Sequence, residues 1–148
     1  MTYFKNLLEI ENFDKQLKKL AQKSAGKRIV LYGMGKFFRA IQENYDLSCL
    51  NIIAVSDYNF LDIMTPVKDE KLGYDKISPL AISTLKPDIV LLSVIDDYYV
   101  EKYFLEELFK DKSKKFKYTP FLKKSLNRKI SEEYIRCTTN VNPTVFVV

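Results

Sequence analysis

The chain has 148 residues, of which 47% are hydrophobic and 29% are charged. These values exclude an intrinsically disordered protein and are typical of one globular domain, which at this length buries about 68–70% of its unfolded surface without a disulfide or metal staple. The 24 lysine and arginine residues exceed the 19 aspartate and glutamate residues, which leaves a net charge of +5. This charge favours anionic ligands or surfaces, but by itself it does not indicate nucleic acid. We expect no nucleic-acid partner.

The two cysteines, Cys49 and Cys137, are far apart in the sequence and are not in a metal-ligand spacing. They indicate reduced thiols in an intracellular protein. The stretch from Met1 to Asn6 lacks the basic and apolar regions of a signal peptide, and no apolar run approaches the ~20 residues of a membrane span. We therefore expect a cytoplasmic protein with no membrane span.

The first 26 residues predict a helical extension. Apolar side chains recur every three or four positions from Tyr3 to Ala21 with lysines between them, so one amphipathic helix is expected over residues 3–23, ended by Gly26. Two roles are open for this helix. It covers one side of a sheet, or it binds a partner or a second copy of the chain.

Residues 27–119 predict the core of the domain. Strands are expected near residues 29, 52, 75, 90 and 116, and they alternate with helices over 36–45, 80–85 and 98–111. Tyr58–Leu72 is expected to be a loop that borders a site. The predicted fold is α/β, with a doubly wound, mainly parallel sheet of about five strands and an extra N-terminal helix.

Residues 120–148 complete the single predicted domain. A further helix is expected over about Phe121–Tyr134, and the apolar, β-branched end from Val141 to Val148 predicts an edge strand. The chain shows no internal repeat and no convincing linker.

The strongest functional pattern is the turn Gly33-Met34-Gly35-Lys36. It lies between an apolar strand and a helix, as a phosphate-binding turn requires, because glycines let the backbone bend and approach a phosphate at the helix N-terminus. Asp57 ends the next strand, 22 residues after Gly35. This is the place of the carboxylate that accepts hydrogen bonds from ribose hydroxyls, although a solvated carboxylate that merely ends a strand is the alternative.

The turn departs from the Gly-x-Gly-x-x-Gly pattern at its third glycine, where the chain has Phe38. That glycine permits close packing of the helix on the strand. We therefore expect Phe38 either to turn outward or to push the helix away from the sheet. A working nucleotide site and a scaffold that binds no ligand are both open.

The end of the fourth strand supplies three further candidates, Ser93, Asp96 and Asp97. Their position beside the point where the strand order reverses allows contact with a sugar or base. Capping of the next helix is an equally good role for the two aspartates.

No catalytic constellation is visible. The chain has no histidine, which excludes the commonest general base and every Ser-His-Asp arrangement. Tyr98 and Lys102 have the Tyr-x-x-x-Lys spacing of short-chain dehydrogenases, but they follow the fourth strand and not a fifth, so we expect the match to be coincidental. No catalytic and no metal-binding residue is predicted.

A basic run extends from Lys110 to Lys129 with a single acid, Asp111. It is expected to be a solvated surface, with binding of a phosphate-rich partner or an acidic membrane surface as the alternative.

Three stretches of the sequence resemble the small Rossmann-like NAD(P)- or nucleotide-sugar-binding domains of bacterial surface-polysaccharide biosynthesis. These stretches are IVLYGMGKFFRAI, NIIAVSD and GYDKISPLAISTLKPDIVLLSV. The resemblance covers roughly Lys27–Lys117. It implies a Rossmann-like fold in which Gly33, Gly35 and Asp57 carry phosphate and ribose contacts and Ser93 lines the base or sugar side.

Three functions follow as hypotheses. The first is a nucleotide-binding module for NAD(P) or a nucleotide-sugar in surface-glycan or sugar-nucleotide metabolism, acting as a possible homodimer or beside a catalytic partner domain. The second is a Rossmann-like interaction or scaffold domain without a ligand. The third is a small NAD-dependent oxidoreductase or epimerase.

Overall fold

The computed structural model describes residues 2–95, 98–110 and 116–122. The α-helices are α1 (Thr2–Ile10), α2 (Phe13–Lys23), α3 (Lys36–Asn44) and α4 (Tyr98–Phe109). The strands are β1 (Ile29–Tyr32), β2 (Ile52–Ser56), β3 (Val67–Asp69), β4 (Tyr74–Ile77), β5 (Ile89–Leu92) and β6 (Lys117–Pro120). Short 3₁₀ helices form at Tyr58–Phe60 and Pro79–Leu85.

The strands form one six-stranded sheet in the order β3-β4-β2-β1-β5-β6. All neighbouring pairs are parallel except β3 and β4, which are antiparallel. The α/β class and the mainly parallel sheet are therefore confirmed.

Strand β3 was not predicted from the sequence, and it lies inside the stretch predicted as a loop, Tyr58–Leu72. Val67 pairs with Lys76 and Asp69 pairs with Tyr74 across the antiparallel ladder, and the Lys76 ammonium lies 3.3 Å from the Asp69 carboxylate. The prediction of about five strands missed β3 because three residues with one apolar side chain carry no periodicity.

The N-terminal extension is two helices, and the prediction of a single helix over residues 3–23 is wrong. The break lies at Asn12, whose φ of 52° is left-handed. Asparagine tolerates this conformation better than most residues do. Leu8 of α1 and Phe13 and Leu17 of α2 nevertheless point into the core, as the apolar spacing predicted.

Helices cover both faces of the sheet. On one face α1, α2 and α3 pack with the sheet in an apolar cluster that includes Phe13, Phe38 and Leu91. On the other face α4 and the Pro79–Leu85 helix pack in a second cluster. Strands β1 and β5 are buried at every residue, which explains their continuous apolar sequences.

The other predicted helices and strands either match the observed elements closely or lie outside the residues that the structure describes. The predicted helix over 98–111 is α4, and the predicted helix over 80–85 is a 3₁₀ helix that Ser78 caps, its Oγ accepting from Leu80 N at 3.1 Å. The predicted caps Asp96 and Asp97, the helix over 121–134 and the strand over 141–148 fall mostly or entirely outside the described residues. No helix in the described part of the chain is long and apolar enough to cross a membrane.

Candidate functional site

The candidate site lies at the carboxyl ends of β1 and β5, two neighbouring parallel strands. From β1 the chain proceeds through α3 to β2, and from β5 it proceeds through α4 to β6 in the opposite direction along the sheet. The two helices pack on opposite faces. In open α/β sheets this reversal leaves a crevice at the strand ends, where ligands bind.

Gly33 begins the turn after β1 and has no room for a side chain. Its φ is +105°, and a Cβ built on it lies 2.7 Å from Val94 Cγ1 and 3.3 Å from the Ser93 carbonyl oxygen. Its N–H donates to the Ser56 carbonyl oxygen at 2.9 Å. The first glycine of the motif is therefore required by its backbone conformation and by the close approach of Ser93 and Val94, which follow β5.

Gly35 has the opposite environment. It has an extended backbone at the N-cap of α3, and a Cβ built on it meets nothing within 4 Å. Arg39 N donates to Gly35 O at 3.0 Å, so the N–H groups of the first helical residues, beginning with exposed Lys36, have no intrahelical acceptor. Open space thus faces the partly positive end of α3.

Asp57 contacts the same turn. One carboxylate oxygen accepts from Met34 N at 2.7 Å, and the other accepts from Asn59 N at 2.9 Å. Asp57 thereby ties the end of β2 to the turn after β1. The structure brings Gly33, Met34, Gly35, Lys36 and Asp57 together, but the Met34 N–H is already bonded within the protein.

Ser93 lies beneath the turn and is 1% exposed. Its N–H donates to Tyr32 O at 2.8 Å, and its single hydroxyl proton is shared between the carbonyl oxygens of Tyr32, at 3.1 Å, and Gly33. In this arrangement Ser93 fastens the ends of β1 and β5 to each other, and its hydroxyl faces the main chain.

Phe38 occupies the position of the missing third glycine. Its side chain is 1% exposed and belongs to the apolar cluster that α3 shares with the sheet, α1 and α2. The outward orientation considered from the sequence is therefore wrong, and Phe38 is a core residue.

One polar contact at the carboxyl end of β1 was not predicted from the sequence. The Tyr32 hydroxyl donates to a Glu101 carboxylate oxygen at 2.8 Å, which links β1 to α4. The Ser56 and Tyr98 hydroxyls are buried and have no hydrogen-bond partner among the described residues. Within apolar strands and helices, these residues carry no sequence signal that separates them from ordinary core positions.

Tyr98 is unsuited to the proton transfer that the Tyr-x-x-x-Lys spacing suggests. Burial, with smaller contributions from Tyr99 and Glu106, raises the pKa of Tyr98 to about 12. A phenol poised for proton transfer near neutral pH requires a lowered pKa. The spacing is therefore compatible with coincidence, as we expected.

Replacement of Tyr98 by phenylalanine is expected to leave stability unchanged or to raise it by about 1 kcal/mol, because it removes a buried hydroxyl that has no hydrogen-bond partner among the described residues. The matched control is Tyr32→Phe, which removes a bonded hydroxyl and should lower stability by about 1 kcal/mol. Urea unfolding at neutral pH measures both changes. A loss in Tyr98→Phe equal to that in Tyr32→Phe would contradict the assignment.

The same pair of variants carries a pH prediction. The folded protein holds the Tyr98 proton more tightly than the unfolded chain, since burial raises the pKa from 10.0 to about 12. This contribution is complete below pH 10 and is lost as the pH rises through 12. The urea midpoint should therefore fall less between these pH values in Tyr98→Phe than in the natural protein.

No group of three aspartate, glutamate or cysteine side chains in the described residues is placed to hold a metal ion. Comparison of the chain with protein-family models, with curated proteins and with solved structures finds no match.

Proposed function

We propose that this chain is a Rossmann-like, doubly wound nucleotide-binding module that holds NAD or a nucleotide-sugar at the turn Gly33–Lys36 and at Asp57. Counted in chain order, its five parallel strands lie in the order third, second, first, fourth, fifth. Five strands of the dinucleotide-binding fold have this order. The proposed setting, surface-glycan or sugar-nucleotide metabolism, rests on the sequence resemblance alone.

The observation that carries the proposal is the open space at Gly35. A Cβ there meets nothing, whereas a Cβ at Gly33, two residues earlier, overlaps Val94. The fold therefore requires the first glycine of the motif, whereas for the second it supplies only the modest preference of an N-cap for glycine over alanine or larger apolar residues. A ligand phosphate at the N-terminus of α3 gives the second glycine a stronger reason, because a side chain would occupy the phosphate's place.

Asp57 supports a ligand with free ribose hydroxyls. Each carboxylate oxygen accepts one main-chain N–H and retains a second lone pair for a hydroxyl donor. Its negative charge would repel a 2′-phosphate. We therefore expect NAD or a nucleotide-sugar to bind more tightly than NADP.

A scaffold domain without a ligand is the second candidate, and the internal bonding of the turn favours it. Met34 N, both oxygens of Asp57 and the hydroxyl of Ser93 have partners within the protein. These groups therefore need no bound molecule to satisfy them. An oxidoreductase or epimerase is the weakest candidate, because Tyr98 is buried and the chain has no histidine.

A thermal-shift titration with NAD, NADP, UDP-sugars and coenzyme A tests the proposal. A ligand that binds only the folded protein adds about 2.7 kcal/mol of stability at about 100 times its dissociation constant, so millimolar ligand detects even weak binding. We expect NAD or a UDP-sugar to raise the melting temperature, and NADP to raise it less than NAD does.

Gly35→Val is expected to abolish this shift, since its branched side chain fills the space in front of α3. The unliganded melting temperature of Gly35→Val should stay close to that of the natural protein, which separates lost binding from lost folding. An unchanged ligand shift in this variant would exclude the turn as the site. No shift with any of the ligands would favour the scaffold function.

A further inference from the structure

We propose that the amino edge of the sheet, at the starts of β1, β5 and β6, is a docking surface for an anionic membrane. The surface is formed by five exposed cations, Lys23, Lys27, Arg28, Lys86 and Lys117, which we call the basic edge. They come from three separate parts of the sequence and meet because β1, β5 and β6 are parallel neighbours.

Main-chain hydrogen bonds hold the basic edge together. Asp88 N donates to Arg28 O at 2.8 Å, and Lys117 N donates to Asp88 O at 3.3 Å. The Arg28 guanidinium donates to Leu85 O at 2.8 Å, which places it beside Lys86. Arg28 and Lys117 therefore belong to strand ends that are bonded to each other through Asp88, and Lys86 lies beside them.

The basic edge contains little negative charge to neutralise it. Asp88 is the only carboxylate in the described segments that lead into these three strands, 24–28, 86–88 and 116, and it already accepts from Arg28 N at 2.9 Å. Lys110, at the end of α4, is paired with Glu107 at 3.1 Å and is not counted. Asp46 lies in the connection before β2, to one side.

The chemistry of the basic edge favours a lipid surface over a nucleic acid. Four of its five cations are lysines, which act as hydrated point charges and not as the planar forks that read a guanine. The single guanidinium, of Arg28, already donates one of its N–H groups to the Leu85 carbonyl oxygen. No aromatic side chain among the exposed large hydrophobic residues lies in the segments that lead into β1, β5 and β6. Clustered lysines without stacking groups are sufficient for acidic phospholipid headgroups.

Docking by the basic edge would leave the turn after β1 free. The turn lies at the carboxyl ends of the same strands, so it faces away from the membrane in this orientation. The inference does not depend on what the turn binds.

Vesicle co-sedimentation tests the inference with the full chain at low and high salt. We expect binding to vesicles of phosphatidylcholine mixed with phosphatidylglycerol, and none to pure phosphatidylcholine. The variant Lys27→Gln, Lys86→Gln, Lys117→Gln should lose roughly a hundredfold in partition coefficient, because each cation near an acidic surface contributes about a fivefold factor. High salt should abolish binding of the natural protein.

The matched control is Lys15→Gln, Lys18→Gln, Lys19→Gln, which removes the same charge from exposed positions of α2. It should lose much less than the basic-edge variant. Equal losses would mean that net charge alone drives binding, and this would overturn the inference. It would equally be overturned by no binding of the natural protein, by binding that survives in the basic-edge variant, or by retention of the protein on RNA or polyglutamate but not on acidic vesicles.

Discussion

Gly33→Ala is expected to lower the free energy of unfolding by about 3 kcal/mol. The φ of +105° is strained for any residue with a Cβ, and the added methyl lies 2.7 Å from Val94 Cγ1 and 3.3 Å from the Ser93 carbonyl oxygen. The Val94 side chain and the main chain at Ser93 must both shift to admit the methyl group. Urea unfolding followed by circular dichroism measures the loss.

Gly35→Ala is the matched control, with the same chemical change two residues later. Its Cβ meets nothing and its backbone is extended, so we expect a loss of less than about 1 kcal/mol, from the poorer N-cap alone. Comparable losses in the two variants would show that the first glycine is not held by Ser93 and Val94 in the way described.

Phe38→Ala is expected to lower the free energy of unfolding by about 3–5 kcal/mol, which is the typical cost of removing a buried phenylalanine side chain. Phe38 is 1% exposed and lies in the cluster that joins α3 to the sheet, α1 and α2. Phe38→Gly, which restores the third glycine of the motif, should cost still more, because glycine also weakens the helix by about 1 kcal/mol. Restoring the motif is thus expected to destabilise the domain more than the alanine substitution does.

The control for Phe38 is its exposed neighbour Arg39, at which replacement by alanine should change stability by no more than about 0.5 kcal/mol. Urea unfolding of Phe38→Ala, Phe38→Gly and Arg39→Ala under the same conditions measures these differences in stability. A loss below 1 kcal/mol in Phe38→Ala would show that α3 tolerates the cavity and that Phe38 is not a structural replacement for the glycine.

The parallel core was predictable because its strands are marked by composition alone. Ile29–Tyr32 and Ile89–Leu92 are continuous apolar runs, and both are buried on two faces. Asn12 and β3 were not predictable, since one residue in a left-handed conformation and a three-residue strand leave no periodic pattern.

The candidate site was predictable as a location but not as a network of contacts. The interval between the glycine turn and Asp57 placed the carboxylate beside the turn, and the structure brings them to 2.7 Å at Met34 N. The sequence did not show that Asp57 bonds to the turn itself, or that Ser93 bonds to Gly33 O. Those contacts depend on the register between parallel strands, which local spacing does not encode. The basic edge depends on strand order in the same way.

The short antiparallel strand β3 has a consequence for solubility. An exposed sheet edge is a template on which another chain can add a strand and begin aggregation. At this edge of the sheet the outermost strand, β3, has only three residues, and the middle one is the exposed Lys68. So short and charged an edge offers an incoming strand few partners, and β3 separates the longer parallel strands from such pairing. The segment between β2 and β4, which contains β3, thus disfavours edge-to-edge association of two sheets.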